Sequence, residues 1–184
     1  MPNDEHSTAW VESMGGPLIV IPVSALDHWH GGTMQGTTAG DGSVVDDYDR
    51  ACGVDELAGV IAVADRQALV LGDEPATTCY LPEHLAFVRW LGADSEVELL
   101  EAAETLLSDG ETDWTDCGVW ATDGPAVLMD SAEAGSDLGV PYPNGDGVPS
   151  EAPVAIQAGQ WRVSAVQVTG EADPWVGVVR LSPV

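Results

Sequence analysis

A mainly antiparallel α+β fold, sandwich-like or two packed sheets with one well-defined helix near residues 95–108, is predicted by three features of the sequence. Short apolar runs bounded by turn residues recur along the chain. One stretch alone combines a helix start signal with apolar side chains at helical spacing. The 21 glycines and 12 prolines supply the turns that such a fold needs. With 184 residues, 45% of them hydrophobic, the chain reads as a single domain over 1–184 with material for a sizeable core.

The first strand is expected at Pro17-Leu18-Ile19-Val20-Ile21-Pro22, where an unbroken apolar run after Gly15-Gly16 points to burial on both faces. Residues 31–49 are rich in Gly, Thr and Asp and read as a long exposed loop. Gly59 to Val63 and Gln67 to Leu71 flank Ala64-Asp65-Arg66 as a β-hairpin. Further strands are expected at Thr77 to Leu81 and Ala86 to Leu91, with Pro82 between them because it cannot donate to a ladder. Ser95 and Glu98 form a capping-box pattern, and Leu99, Ala103, Leu106 and Leu107 then fall on one helical face. Asp109-Gly110 is the expected stop, with Gly110 free to take the left-handed cap conformation. Gly118 to Thr122 and Ala126 to Met129 flank Asp123-Gly124 as a second hairpin, with Pro125 spoiling its ladder. Residues 131–153 form another long segment rich in Gly, Pro and acids, and Trp161 to Thr169 pairs with Trp175 to Leu181. A weak internal echo relates Ala68-Leu69-Val70-Leu71-Gly72-Asp73 to Pro125-Ala126-Val127-Leu128-Met129-Asp130. It divides the domain into pseudo-repeated β-rich halves, about 10–94 and 115–184, joined through the helix.

Charge narrows the function classes. The chain carries 31 acidic residues against five arginines and no lysine, for a formal net charge of −26. Such a surface repels nucleic acid and anionic membrane, which need a basic footprint, and draws in cationic partners. Solubility, or a saline or GC-rich source, is the plain alternative explanation of the acidity. The N-terminal Met1-Pro2-Asn3-Asp4-Glu5-His6 lacks the basic and apolar parts of a signal peptide, and no apolar run is long enough to span a bilayer. The three cysteines, Cys52, Cys79 and Cys117, are widely spaced and show no zinc-site pattern. A cytoplasmic location is expected.

Few residues carry recognisable chemistry. His28-Trp29-His30 would place two imidazoles on one side of a strand, the basis of an alternative reading as a small metal-dependent hydrolase using His28 and His30. There is no Gly-x-Ser-x-Gly elbow, and without lysine a Walker loop is ruled out. No catalytic residue, metal or cofactor is assigned, and the protein reads as a non-enzyme. The candidate partner-binding residues are acids beside aromatic surface: Asp46, Asp47, Tyr48 and Asp49, then Asp73 and Glu74, with Trp29. There charge would steer encounter and aromatic area would anchor it. A solvated turn is the ordinary fate of such runs, and an acidic scaffold is the third reading.

Several strings taken in order are more specific than any one motif. They are Trp10-Val11-Glu12-Ser13-Met14-Gly15-Gly16-Pro17, Asp47-Tyr48-Asp49-Arg50-Ala51-Cys52, Leu71-Gly72-Asp73-Glu74-Pro75, Tyr80-Leu81-Pro82, Arg89-Trp90, Cys117-Gly118-Val119-Trp120 and Asp123-Gly124-Pro125. From Trp10 to about Pro183 the chain resembles the bacterial immunity proteins numbered twenty-one in the polymorphic-toxin series. The resemblance implies a cytoplasmic antidote that binds a cognate protein toxin and blocks its active or substrate-binding surface. A basic nuclease is the toxin class that the charge would suit. It brings no established contact residues with it.

Overall fold

The computed structural model describes residues 8–34, 45–72, 74–171 and 174–184. Eleven strands are assigned among them: β1 (Trp10–Val11), β2 (Leu18–Pro22), β3 (Gly59–Val63), β4 (Arg66–Val70), β5 (Thr78–Leu81), β6 (Ala86–Gly92), β7 (Thr115–Thr122), β8 (Ala126–Asp130), β9 (Glu151–Val154), β10 (Gly159–Val168) and β11 (Trp175–Pro183). They form two antiparallel sheets, one in the order β1-β5-β6-β11-β10-β7 and the other β3-β4-β2-β8-β9. The α+β, mainly β expectation holds.

Alternation along each strand sorts side chains into layers. Leu18, Val20, Leu69 and Leu128 of the smaller sheet meet Phe87, Trp120, Val163 and Val179 of the larger one in a central core. The opposite faces are also apolar and must be covered. Ile19, Ile21, Val70 and Met129 lie under Ala25 and Trp29, contributed by the 3-10 helix Val23–His28 and the residue after it, and under Ala51 of helix α1 (Asp47–Cys52). On the far side, Cys79, Val88, Val176 and Val178 lie under Leu99 and Ala103 of helix α2 (Glu96–Ser108). The result is four layers, helix–sheet–sheet–helix. Strand β2 is buried at every position, as its unbroken apolar run predicts.

Several local expectations need correction. Asp123-Gly124-Pro125 is no hairpin: β7 pairs with β10 in one sheet, whereas β8 pairs with β2 and β9 in the other. Gly124 adopts φ +152°, its N–H bonds Thr122 Oγ1, and Pro125 has no N–H to return to β7, so the chain crosses between sheets. At helix α2, Ser95 Oγ accepts from Glu98 N–H at 3.2 Å, but the Glu98 carboxylate reaches Asp94 N–H and not Ser95 N–H. The helix stops on extended Asp109, and Gly110 does not take the left-handed conformation. Within the segment read as an exposed loop, residues 47–49 begin α1. The echoing segments β4 and β8 both flank β2, and each sheet draws strands from both sides of α2. No helix among the described residues is long and apolar enough to cross a membrane.

Candidate functional site

Helix α1 has six residues, half of them charged and only Ala51 fully buried, so its stability comes from bonds to its cap and surroundings and not from an apolar stripe. Asp46 caps it: Oδ1 accepts Asp49 N–H at 2.9 Å while Asp49 Oδ2 accepts Asp46 N–H at 3.2 Å, a reciprocal capping box. The other Asp46 oxygen accepts Thr33 N–H at 2.7 Å. Burial pushes the Asp46 carboxyl up, but the backbone bonds from Thr33 and Asp49 outweigh it and hold it below its ordinary value. Asp47 accepts His30 N–H at 2.8 Å and pairs with Arg50 at 2.8 Å, and Arg50 also reaches the Ala62 carbonyl of β3. Asp46 and Asp47 are thus half-buried and engaged, while Asp49 is exposed.

Below the helix, three segments lock together. Trp29 is completely buried, its indole N–H donating to the Ser131 carbonyl at 3.1 Å. It is the lid of the smaller sheet's outer face and offers no surface to a partner. Gly31 adopts φ +62°, and a Cβ there would lie 2.3 Å from the Ala132 carbonyl oxygen. Gly32 N–H donates to that carbonyl at 2.9 Å. The ring of Tyr48 covers Gly16, where a Cβ would come within 2.4 Å of it. Hydrogen bonding with Cys52, then burial, pushes the Tyr48 phenol up, and burial pushes the Cys52 thiol up. Asp130, only 2% exposed, closes the arrangement by accepting Met14 N–H at 2.5 Å and Ala132 N–H at 2.7 Å.

These contacts put α1 beside a cleft of about 310 Å³ that sequence reasoning missed. It is lined by Glu12, Asp130, Glu133 and Asp146, with Tyr142 and the apolar Met14 and Val148. Tyr142 Oη donates to Glu133 at 2.6 Å, and that bond leads the causes that push the phenol up to about 12. The carboxylates come from segments more than a hundred residues apart in sequence, which no local pattern reveals. Two of the side chains lining the cleft, Met14 and Val148, are exposed and apolar. Arg50 is spent within α1 on Asp47, and three other arginines make their contacts elsewhere: Arg66 pairs with Asp65 and Asp123, Arg162 with Asp116, and Arg180 stacks on Trp114 at 3.9 Å.

The remaining sequence candidates separate from this face. Glu74 is exposed on the β4–β5 connection, where its carbonyl accepts Arg89 Nη2 at 2.6 Å, and no hydrogen bond or ion pair among the described residues joins it to α1. Asp73 lies outside the described residues. His28 ends the 3-10 helix and His30 follows Trp29 outside any strand, so the strand geometry assumed for the pair is absent. Among the described residues no three or more His, Cys, Asp or Glu side chains gather in a way that could hold a metal ion. What the face offers chemically is a set of hydrogen-bonded carboxylates beside apolar surface, suited to recognising a cation.

The family model described as Immunity protein 21 matches residues 9–174, nearly the whole chain. No curated protein and no solved structure matches.

Proposed function

The chain belongs to the immunity protein 21 family, and we propose from that premise that it is the antidote to a cognate bacterial protein toxin, covering the toxin's active or substrate-binding surface. The observation that carries the reading is the face around α1 and the cleft. Carboxylates of Glu12, Glu133 and Asp146 line the cleft together with Met14 and Val148, and Asp49 is exposed on α1. Charge would steer a basic partner into place, and the apolar side chains would supply the desolvated contact that holds it. A net charge of −26 suits a partner whose own working surface is basic. A nuclease, built to bind phosphate, is the class it fits best, with the immunity protein acting in the cytoplasm as an anionic occupant of that surface.

The test is co-expression with the product of the adjacent gene. Growth of cells killed by the neighbour alone, with one-to-one co-purification of the two chains, supports the antidote reading. A neighbour that is harmless or does not bind overturns it for that pair and leaves the acidity to solubility.

A further inference from the structure

One wall of the acidic cleft is a strap. Between Leu138, partly buried in the outer core of the smaller sheet, and buried Pro149, every residue from 139 to 148 is exposed except half-buried Tyr142. The strap's own bonds close on themselves: Tyr142 N–H to the Gly147 carbonyl at 2.7 Å, Gly145 N–H to the Tyr142 carbonyl at 3.0 Å, and Asn144 with Asp146. Gly139, Gly145 and Gly147 adopt positive φ with open space where a Cβ would stand. Beyond the Val140–Asp137 bond at its base, a single described hydrogen bond fastens the strap to the body, Tyr142 Oη to Glu133 at 2.6 Å. A segment with few buried contacts and one fastening opens at low cost.

We propose that residues 139–148 form a flap over the cleft, hinged at Leu138 and Pro149 and latched by the Tyr142–Glu133 bond. Closed, the flap supplies Asp146 and Val148 to the cleft and holds Glu133 against the phenol. Open, it leaves Glu12, Met14 and Glu133 on an accessible shelf. A basic group that engages Glu133 competes with the phenol for the same carboxylate, so docking and release of the latch become one event. That last consequence rests on the toxin-binding reading; the latch itself does not.

The experiment measures backbone ¹⁵N order parameters on the free, full-length protein. In the wild type, Val140, residue 142 and residues 144–148, the positions of the strap that carry an N–H, should approach the rigid value of about 0.85, and in Tyr142→Phe they should fall below about 0.6. Ala126 to Asp130 and Glu151 to Val154 should stay unchanged. Glu133→Ala should reproduce the effect, the double variant should add nothing further, and Glu133→Gln, which keeps an acceptor, should retain most of the rigidity. A strap already mobile in the wild type, or one that stays rigid in Tyr142→Phe, overturns the proposal. So does loosening that spreads through β8, because Tyr142 would then be holding the fold and not a flap. Each result can be read without any toxin.

Discussion

Replacing Gly31 with alanine should damage the protein out of proportion to one added methyl group. Two costs combine. At φ +62° a side chain brings Cβ close to backbone, about 1–2 kcal/mol for the left-handed conformation. The new Cβ would also stand 2.3 Å from the Ala132 oxygen and 2.7 Å from the Glu133 carbonyl carbon and oxygen. Ordinary carbon contacts lie at about 3.5–4.0 Å, and the obstacle is backbone, so it cannot rotate away. Forced overpacking adds about 1–3 kcal/mol, for a total of about 2–5 kcal/mol. At about 2–4 °C per kcal/mol for a chain of this size, Tm should fall by about 4–20 °C. Gly110→Ala is the opposite control: nothing lies within 4 Å of its Cβ and its φ is not positive. There the smaller entropy of the unfolded chain should stabilise by about 0.4–1 kcal/mol. Urea denaturation followed by tryptophan fluorescence measures both. A Gly31→Ala midpoint matching the wild type would refute the packing of residues 29–33 on 132–133, and with it the placement of α1.

Asp130→Asn should cost about 1.5–3 kcal/mol in the same assay, because Met14 N–H and Ala132 N–H bond different carboxylate oxygens and one of them would then face the amide NH2, itself a donor; a loss under about 0.5 kcal/mol would contradict the anchoring role. Asp46 is held below its ordinary value, so the unfolded state takes up a proton first as pH falls. The stability it contributes is complete above the unfolded value of about 3.9 and is lost as pH drops through the lower folded one. The stability difference between wild type and Asp46→Asn should therefore shrink from about pH 5 to pH 3, and a difference independent of pH would count against the capping geometry. Trp29→Ala should cost about 3–5 kcal/mol as a core truncation; a near-neutral change in thermal unfolding would show the indole to be outside the core.

How far the sequence discloses this molecule depends on how local the cause is. Strands such as β2 and the β3–β4 hairpin follow from runs of apolar side chains, and α2 from Ser95 and its Leu stripe. Sheet membership does not follow, because Asp123-Gly124 satisfies the local rule for a hairpin while Pro125 and the apolar faces on either side demand a crossover. Helix α1 was hidden because its charged sequence is held by Thr33, His30 and Ala62, none of them within its own turn. Trp29 reads as an aromatic beside acids, yet the second apolar face of the smaller sheet claims it for the core. The strings that carry the family likeness meet in space: Trp10 packs edge-on against Trp90 at 5.4 Å, Tyr48 covers Gly16, and Gly72 lies against the Arg89 guanidinium. Part of that signature is thus tertiary packing. The cleft joins Glu12, Asp130 and Asp146, whose proximity only the fold creates.

The association rate with the co-purifying toxin, for two variants of equal charge change, tests the recognition role of the acidic face most directly. Glu12→Gln with Asp146→Asn removes two of the cleft's four acidic side chains, and Glu101→Gln with Glu111→Gln removes two exposed acids on α2 and just beyond its end, at the helix that covers the other sheet. The cleft variant should associate several-fold more slowly at low salt while the α2 variant stays near wild type. The gap should close at about 0.5 M salt, where exposed charges are screened within a few ångströms. Equal rates for the two variants, or a gap that salt leaves untouched, would contradict recognition through this face.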